Sequence, residues 1–281
     1  MEYAILALVG LVAGMLGGML GIGGSIIMIP AMVAVYTPSG GAGRMQQYQA
    51  AAMIVNFLLI LPAVVRHHRA RAVVWDVWRW LAPAALVGIV LGVATSLLPL
   101  FKGGNQKYMK ILFGLFLLYV AYENLRKLLV KSSGEKLLAD PSSRHPAWKS
   151  VCVGLPMGFS AGLLGIGGGA LGVPALQMVL HLPLRNAIAT SSAAIMAIAW
   201  LGATVKNLGV QAGGDGTIAE SLKLAACFTP TAMIGSYIGG HLTHNLPLRL
   251  VRAVFAALML ASAVEMLKPA AALLSRLVFG R

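Results

Sequence analysis

The chain has 281 residues, 58% of them hydrophobic and 11% charged, with a mean hydropathy of +0.82. So little polar surface excludes a soluble globule of this size, and the absence of ten-residue segments alternating apolar and polar residues speaks against a membrane barrel, so an all-α integral membrane protein is expected. The formal charge of +14, from 22 Lys and Arg against 8 Asp and Glu, falls between apolar segments, as in loops that meet anionic lipid headgroups, and no nucleic-acid partner is expected.

The N-terminus carries Glu2 and no basic n-region, and its apolar run outlasts the core of a signal peptide, so it is expected to be retained. The first apolar segment, Tyr3 to Tyr36, would make about 50 Å of helix, too long for one span. A break is expected at Gly17 to Gly24, where five glycines in eight residues disfavour helix by about 1 kcal/mol each relative to Ala. Inside a membrane such irregular backbone must be buried in protein or line a wet cavity. A polar loop from Thr37 to Gln49 leads to a second span, Ala50 to Val65, which ends at a basic cluster holding His67 and His68. Adjacent histidines among arginines are poor company for a cation, and no metal site is assigned. Trp75, Trp78 and Trp80 mark a membrane interface. The third span is Trp80 to Phe101 and the fourth about Lys107 to Lys127.

The second half repeats this order. Gly158 to Pro174 matches Gly14 to Pro30 without gaps at eight of seventeen positions, including Gly21/Gly165, Gly23/Gly167 and Gly24/Gly168. Pro83, Gly88 and Gly92 recur as Pro230, Gly235 and Gly239 at a constant offset of 147. Glu123 near the end of the fourth span has its counterpart in Glu265 near the end of the eighth. The expected architecture is two homologous four-segment halves, residues 1–130 and 149–281, joined by a cytoplasmic linker, 131–148. The sixth segment is expected at Ala187 to Val205 with a loop from Lys206 to Ser221, the seventh at Leu222 to Gly240 and the eighth at Leu248 to Leu267, before an interfacial tail. Cys152 and Cys227 read as small core residues, and His241 and His244 as interfacial.

Topology stays open at this point. If all eight segments cross, Lys and Arg divide 15 to 7 in favour of the linker side. If each glycine-broken segment returns to its own side, the halves are inverted and the division is 13 to 9, the linker side again the richer. The positive-inside bias favours the first arrangement, and paired broken helices favour the second.

The run Gly-x-x-x-Gly-x-Leu-Gly-Ile-Gly-Gly opening each half, followed by Pro30 or Pro174, together with Ala189-Thr190-Ser191-Ser192, resembles the TauE/SafE family of sulfite and organosulfonate exporters. The resemblance implies a multi-pass carrier of a bacterial inner membrane that exports a small sulfur-containing anion. The matching place in the first half, Gln49-Ala50-Ala51-Ala52, lacks the Thr-Ser pair. An importer or channel for another small anion, or a proton-coupled carrier, are the alternatives, with the protein working as monomer or homodimer.

Physical chemistry points to the same stretch. A helix that begins inside a membrane offers unpaired N–H groups and the positive end of its dipole to an anion, and glycine admits close approach. Gly21, Gly23, Gly24, Ser25, Gly165, Gly167, Gly168, Gly169, Thr190, Ser191 and Ser192 are therefore the candidate substrate-binding residues. Gly10, Gly14 and Gly18, like Gly154, Gly158 and Gly162, are expected in helix packing instead. The hydroxyls have a competing use, bonding back to the preceding helical turn. Asn56, Glu123 and Glu265 are candidates for a path or for coupling. Against that, Arg126 and Lys268 stand three residues beyond the acids, at ion-pair spacing. No catalytic constellation, cofactor motif or nucleotide-binding loop is present, so an enzyme is not expected.

Overall fold

The computed structural model describes residues 2–36, 44–101, 105–129, 145–242, 253, 256–268 and 270. Most of the expected linker (131–144), the start of the eighth segment with His244, and the tail from 271 onward lie outside them. Among the described residues the chain is all helical. The helices are α1 (Glu2–Leu20), α2 (Ser25–Tyr36), α3 (Met45–Arg69), α4 (Trp75–Ser96), α5 (Gln106–Leu129), α6 (Ala147–Leu164), α7 (Gly169–Val179), α8 (Leu184–Ala212), α9 (Ile218–Leu242) and α10 (256–268). Four of them, α3, α4, α5 and α8, are long and apolar enough to cross a membrane.

Several boundaries differ from expectation. The first break covers only residues 21–24, because Gly17 and Gly18 remain helical. Gly21 and Gly23 have φ of +64° and +81°, values that end a right-handed helix and cost an L-residue roughly 1–2 kcal/mol. The second break is alike, with φ of +75° at Gly165 and Gly167 and +79° at Gly168. Helix α3 begins at Met45, drawing Gln46, Gln47 and Gln49 out of the expected loop, and α8 runs on through Lys206 to Ala212. Cys152 is exposed rather than in the core.

Each glycine break reverses the chain. A Cβ built on Gly24 would lie 3.3 Å from the Ala13 carbonyl oxygen, and one on Gly168 would lie 2.8 Å from that of Met157. Eleven residues of continuous helix would hold such groups about 16 Å apart. Thus α1–α2 and α6–α7 double back as hairpins.

The halves exchange their packing partners. Along α1, Cβ atoms on Gly10, Gly14 and Gly18 would meet Thr231, Ala232 and Ser236 of α9, while those on Gly235 and Gly239 would meet Leu11 and Met15 in return. The same interlock joins α6 to α4: Cβ atoms on Gly158 and Gly92 would fall 2.0 and 2.1 Å from the carbonyl oxygens of Ala85 and Phe159. No side chain fits at such distances, so these glycines serve helix contact, as expected for Gly10, Gly14, Gly18 and Gly158; Gly92, Gly235 and Gly239 join them.

Between these pairs α3 and α8 form the centre. Of their apolar windows 67% is buried, against 44% for α4 and 39% for α5. They run antiparallel: Gln46 pairs with Lys206, Ala50 with Asn207, Ala72 with Asn186 and Val74 with Thr190. Outward faces carry apolar side chains such as Val87, Leu91, Leu115 and Val264, which suits contact with lipid rather than water.

Candidate functional site

The tips of the two hairpins touch. A Cβ on Gly169 would lie 2.4 Å from the Gly21 carbonyl oxygen and 2.5 Å from the Ile22 Cα, so only glycine lets the backbones come so close. The meeting point is level with Asn56 on α3 and Ile195 on α8, each near the middle of its helix. A Cβ on Gly23 would stand 3.0 Å from Asn56 Oδ1, and one on Gly167 would stand 2.9 Å from Asn56 Nδ2. Asn56, 1% exposed, is thus wedged between both turns.

Its hydrogen bonds explain how the first turn is held. The backbone N–H groups of Gly24 and Ser25 donate to Asn56 Oδ1 at 3.0 and 3.2 Å, and Asn56 Nδ2 donates to Ser25 Oγ at 2.6 Å. A helix start carries unpaired N–H groups, and here a side chain from a neighbouring helix satisfies two of them. Ser25 is committed to the same cap. Among the described residues no side chain caps the second turn: Gly168 precedes α7 in a left-handed conformation and has no side chain to do so. The two inward helix starts are therefore not equivalent: among the described residues, the one at α2 has a side-chain cap and the one at α7 has none.

Around the turns lie buried polar groups with no hydrogen-bond partner among the described residues: the hydroxyls of Ser191 and Ser192 and both amide atoms of Gln49. All three residues are 0% exposed. Each stands beside a hairpin. A Cβ on Gly21 would be 3.2 Å from Ser192 Oγ, one on Gly172, in the first turn of α7, 2.9 Å from Ser191 Oγ, and one on Gly165 2.8 Å from Gln49 Cβ. Leaving a buried polar group unpaired costs roughly 1–3 kcal/mol. Three of them against two glycine turns make a site with unused donors and acceptors.

The remaining candidates fall elsewhere. Thr190 Oγ1 accepts the N–H of Val74 at 3.0 Å, which places its hydroxyl at the start of α4. Glu123 pairs with Arg126 at 3.3 Å, and Glu265 pairs with Lys268. Both acids sit in the ion pairs that their spacing predicts, away from the turns. Gln49 is the residue that sequence reasoning passed over: it was noticed only as a mismatch to the Thr-Ser pair. Its signal was positional, since Gln49 and Asn56 lie seven residues apart and so share one face of a helix.

Comparison with known proteins follows the same lines. The sulfite exporter TauE/SafE family profile matches residues 6–266. A probable membrane transporter protein, MamO, from Paramagnetospirillum magneticum is 30% identical over 94% of this chain and 45% of its own length. Its namesake from Magnetospirillum gryphiswaldense is 28% identical over 93% and 44%. The chain thus spans less than half the length of these two relatives. A probable membrane transporter protein from Haemophilus influenzae is 24% identical over 92% of this chain and 96% of its own. No solved structure matches.

Proposed function

The chain belongs to the TauE/SafE sulfite exporter family, and we propose that it carries a small sulfur-containing anion, sulfite or an organosulfonate such as sulfoacetate, out across a bacterial inner membrane. The single observation that carries this reading is the meeting of two glycine turns, halfway along the central helices, beside Gln49, Ser191 and Ser192, whose side chains have no partner among the described residues. An oxyanion has several acceptor oxygens and no donors of its own. It would take the open N–H groups at the start of α7, favoured by the helix dipole, and the two serine hydroxyls.

Antiparallel packing of the equivalent helices α3 and α8, with exchanged partners on either flank, supports two halves of inverted topology, each with a re-entrant hairpin and three crossings. In that topology the linker and both Ser191 and Ser192 lie toward one side, the cytoplasm, and Gln49 toward the other. Rocking of one hairpin pair against the other would open the site to each side in turn. An anion leaving a negative interior gains about 2.3 kcal/mol per charge per 100 mV. Engagement of Glu123 and Glu265 with their neighbours supports uniport driven by that potential alone.

Flux of labelled sulfite, sulfoacetate, taurine and thiosulfate from proteoliposomes under an imposed potential tests the proposal. Efflux accelerated by an inside-negative potential is expected. Efflux that ignores the potential and follows a proton gradient refutes uniport, and absence of flux for every sulfur anion refutes the substrate class.

A further inference from the structure

Lys206 is a cation where the sequence placed a loop. It lies inside α8, is 0% exposed, and its Nζ donates to Ser96 Oγ at 2.7 Å and to Gln46 Oε1. Both partners are neutral oxygens, and an ammonium has three N–H donors. Gln46 is fixed in turn: its Nε2 donates to the Ser96 carbonyl oxygen at 2.6 Å, and its backbone N–H donates to Gln106 Oε1 at 3.4 Å. Gln106 donates onward to Asp215 at 3.2 Å. Four helices and the loop after α8 therefore converge on one amine inside the protein, with the Asp215 carboxylate the negative group that acts on it. An ionisable group within spanning helices is costly to keep and points to a role in moving or binding an ion.

Its position gives the role. Lys206 follows Ile195 by eleven residues, about 16 Å along α8 from the touching turns. Gln49, whose amide has no partner among the described residues, lies between them, one helical turn beyond Gln46 on α3. Near the start of α3 a cavity of about 360 Å³ is lined by Arg44, Gln47, Glu220 and Lys223 together with Tyr36, Tyr48 and Leu224. Gln47, the neighbour of Gln46, reaches from that cavity to Ser221 Oγ at 2.6 Å. In order along the chain at the start of α3, Arg44, ion-paired with Glu220, Gln46 with Lys206, Gln49 and then Asn56 at the turns thus follow one another inward.

We propose that Lys206, with Gln46 and Ser96, is a second binding station for a small oxyanion, on the side of the protein opposite the linker. The inference rests on the reading of the chain as an anion carrier. The anion takes a hydrogen bond from Nζ and passes by way of Gln49 to or from the turns. The electrostatic attraction is what makes the station, so cancelling the charge removes it by two routes. Lys206→Gln deletes the charge, and Gln46→Glu leaves Lys206 in place while setting a carboxylate against it.

Binding of sulfite and sulfoacetate to purified protein is measured by calorimetry, with chloride and phosphate as comparison anions and size-exclusion profiles as a check of folding. Wild type is expected to bind a sulfur anion, and both variants to weaken it by about tenfold or more. Gln46→Glu keeps the test decisive if Lys206→Gln does not fold. Wild-type affinity in either folded variant overturns the station and leaves the carrier reading standing. Wild-type protein that binds none of the anions overturns the carrier reading itself, and the station with it.

Discussion

Replacing Asn56 separates the scaffold of the turns from their function. Asn56→Leu removes the acceptor for two buried N–H groups, those of Gly24 and Ser25, and the donor to Ser25 Oγ. Each buried N–H left unpaired costs about 1–3 kcal/mol, so the loss should be about 2–6 kcal/mol. Asn56→Asp keeps an acceptor at the same place, and its charge suits the positive end of α2. Its stability should therefore fall between wild type and Asn56→Leu. The same carboxylate would stand against Gly167 and the site. At about 5 Å and an effective dielectric of about 20, like charges repel by about 3 kcal/mol, roughly a hundredfold in affinity. Denaturant titration in detergent micelles gives the stabilities, and proteoliposome flux gives the half-saturation. Unchanged stability in Asn56→Leu would refute the capping argument. An unaltered half-saturation in folded Asn56→Asp would refute placement of the anion at the turns.

The hydroxyls in α8 should divide by partner. The double change Ser191→Ala and Ser192→Ala removes groups without partners among the described residues, so it should leave stability within about 0.5 kcal/mol or raise it while flux falls. A drop in stability of the double variant with normal flux would show the reverse assignment. Thr190→Val orphans the Val74 N–H, costing about 1–3 kcal/mol, with half-saturation unchanged; a large shift in half-saturation would make Thr190 part of the site. Gly158→Ala sets a methyl 2.0 Å from a backbone oxygen and should reduce folded protein severely. Gly214→Ala, in open space at φ of +72°, should cost only about 1–2 kcal/mol, and equal thermal shifts for the two would undo the interlock argument. Gly167→Ala should fold with modest strain but displace Asn56 and abolish saturable flux; normal flux would assign Gly167 to packing alone.

What was legible in the sequence was what repeats or what glycine must do. The offset of 144 between Gly14–Pro30 and Gly158–Pro174 located both breaks, and four-residue spacing marked the glycines that interlock α1 with α9 and α6 with α4. What the sequence left open depended on contacts between distant segments. Whether α1 and α2 continue or double back is decided by Gly24 lying against Ala13, and no local pattern encodes that. The ends of α3 and α8 were misplaced because Gln46, Gln47, Gln49, Lys206 and Asn207 are polar and look like loop. They are helical because each finds a place between helices, where Gln46 and Lys206 satisfy one another.

That misplacement bears on function. A hydropathy-based reading trims polar residues from span ends, and Gln46, Gln49 and Lys206, all buried, are residues of that kind. The repeat has a similar effect: it suggests two equal helix starts where, among the described residues, one has a side-chain cap and the other has none. Asn56 fills the first start with its own oxygen, the kind of atom an anion would bring. Among the described residues no counterpart caps the second start, so the two turns are alike in backbone and unlike in their caps. Asn56→Ala in a folded protein should therefore gain a second, weaker anion site at α2, read as a rise in calorimetric stoichiometry over wild type. An unchanged stoichiometry would mean that the vacated start of α2 is closed by the protein itself.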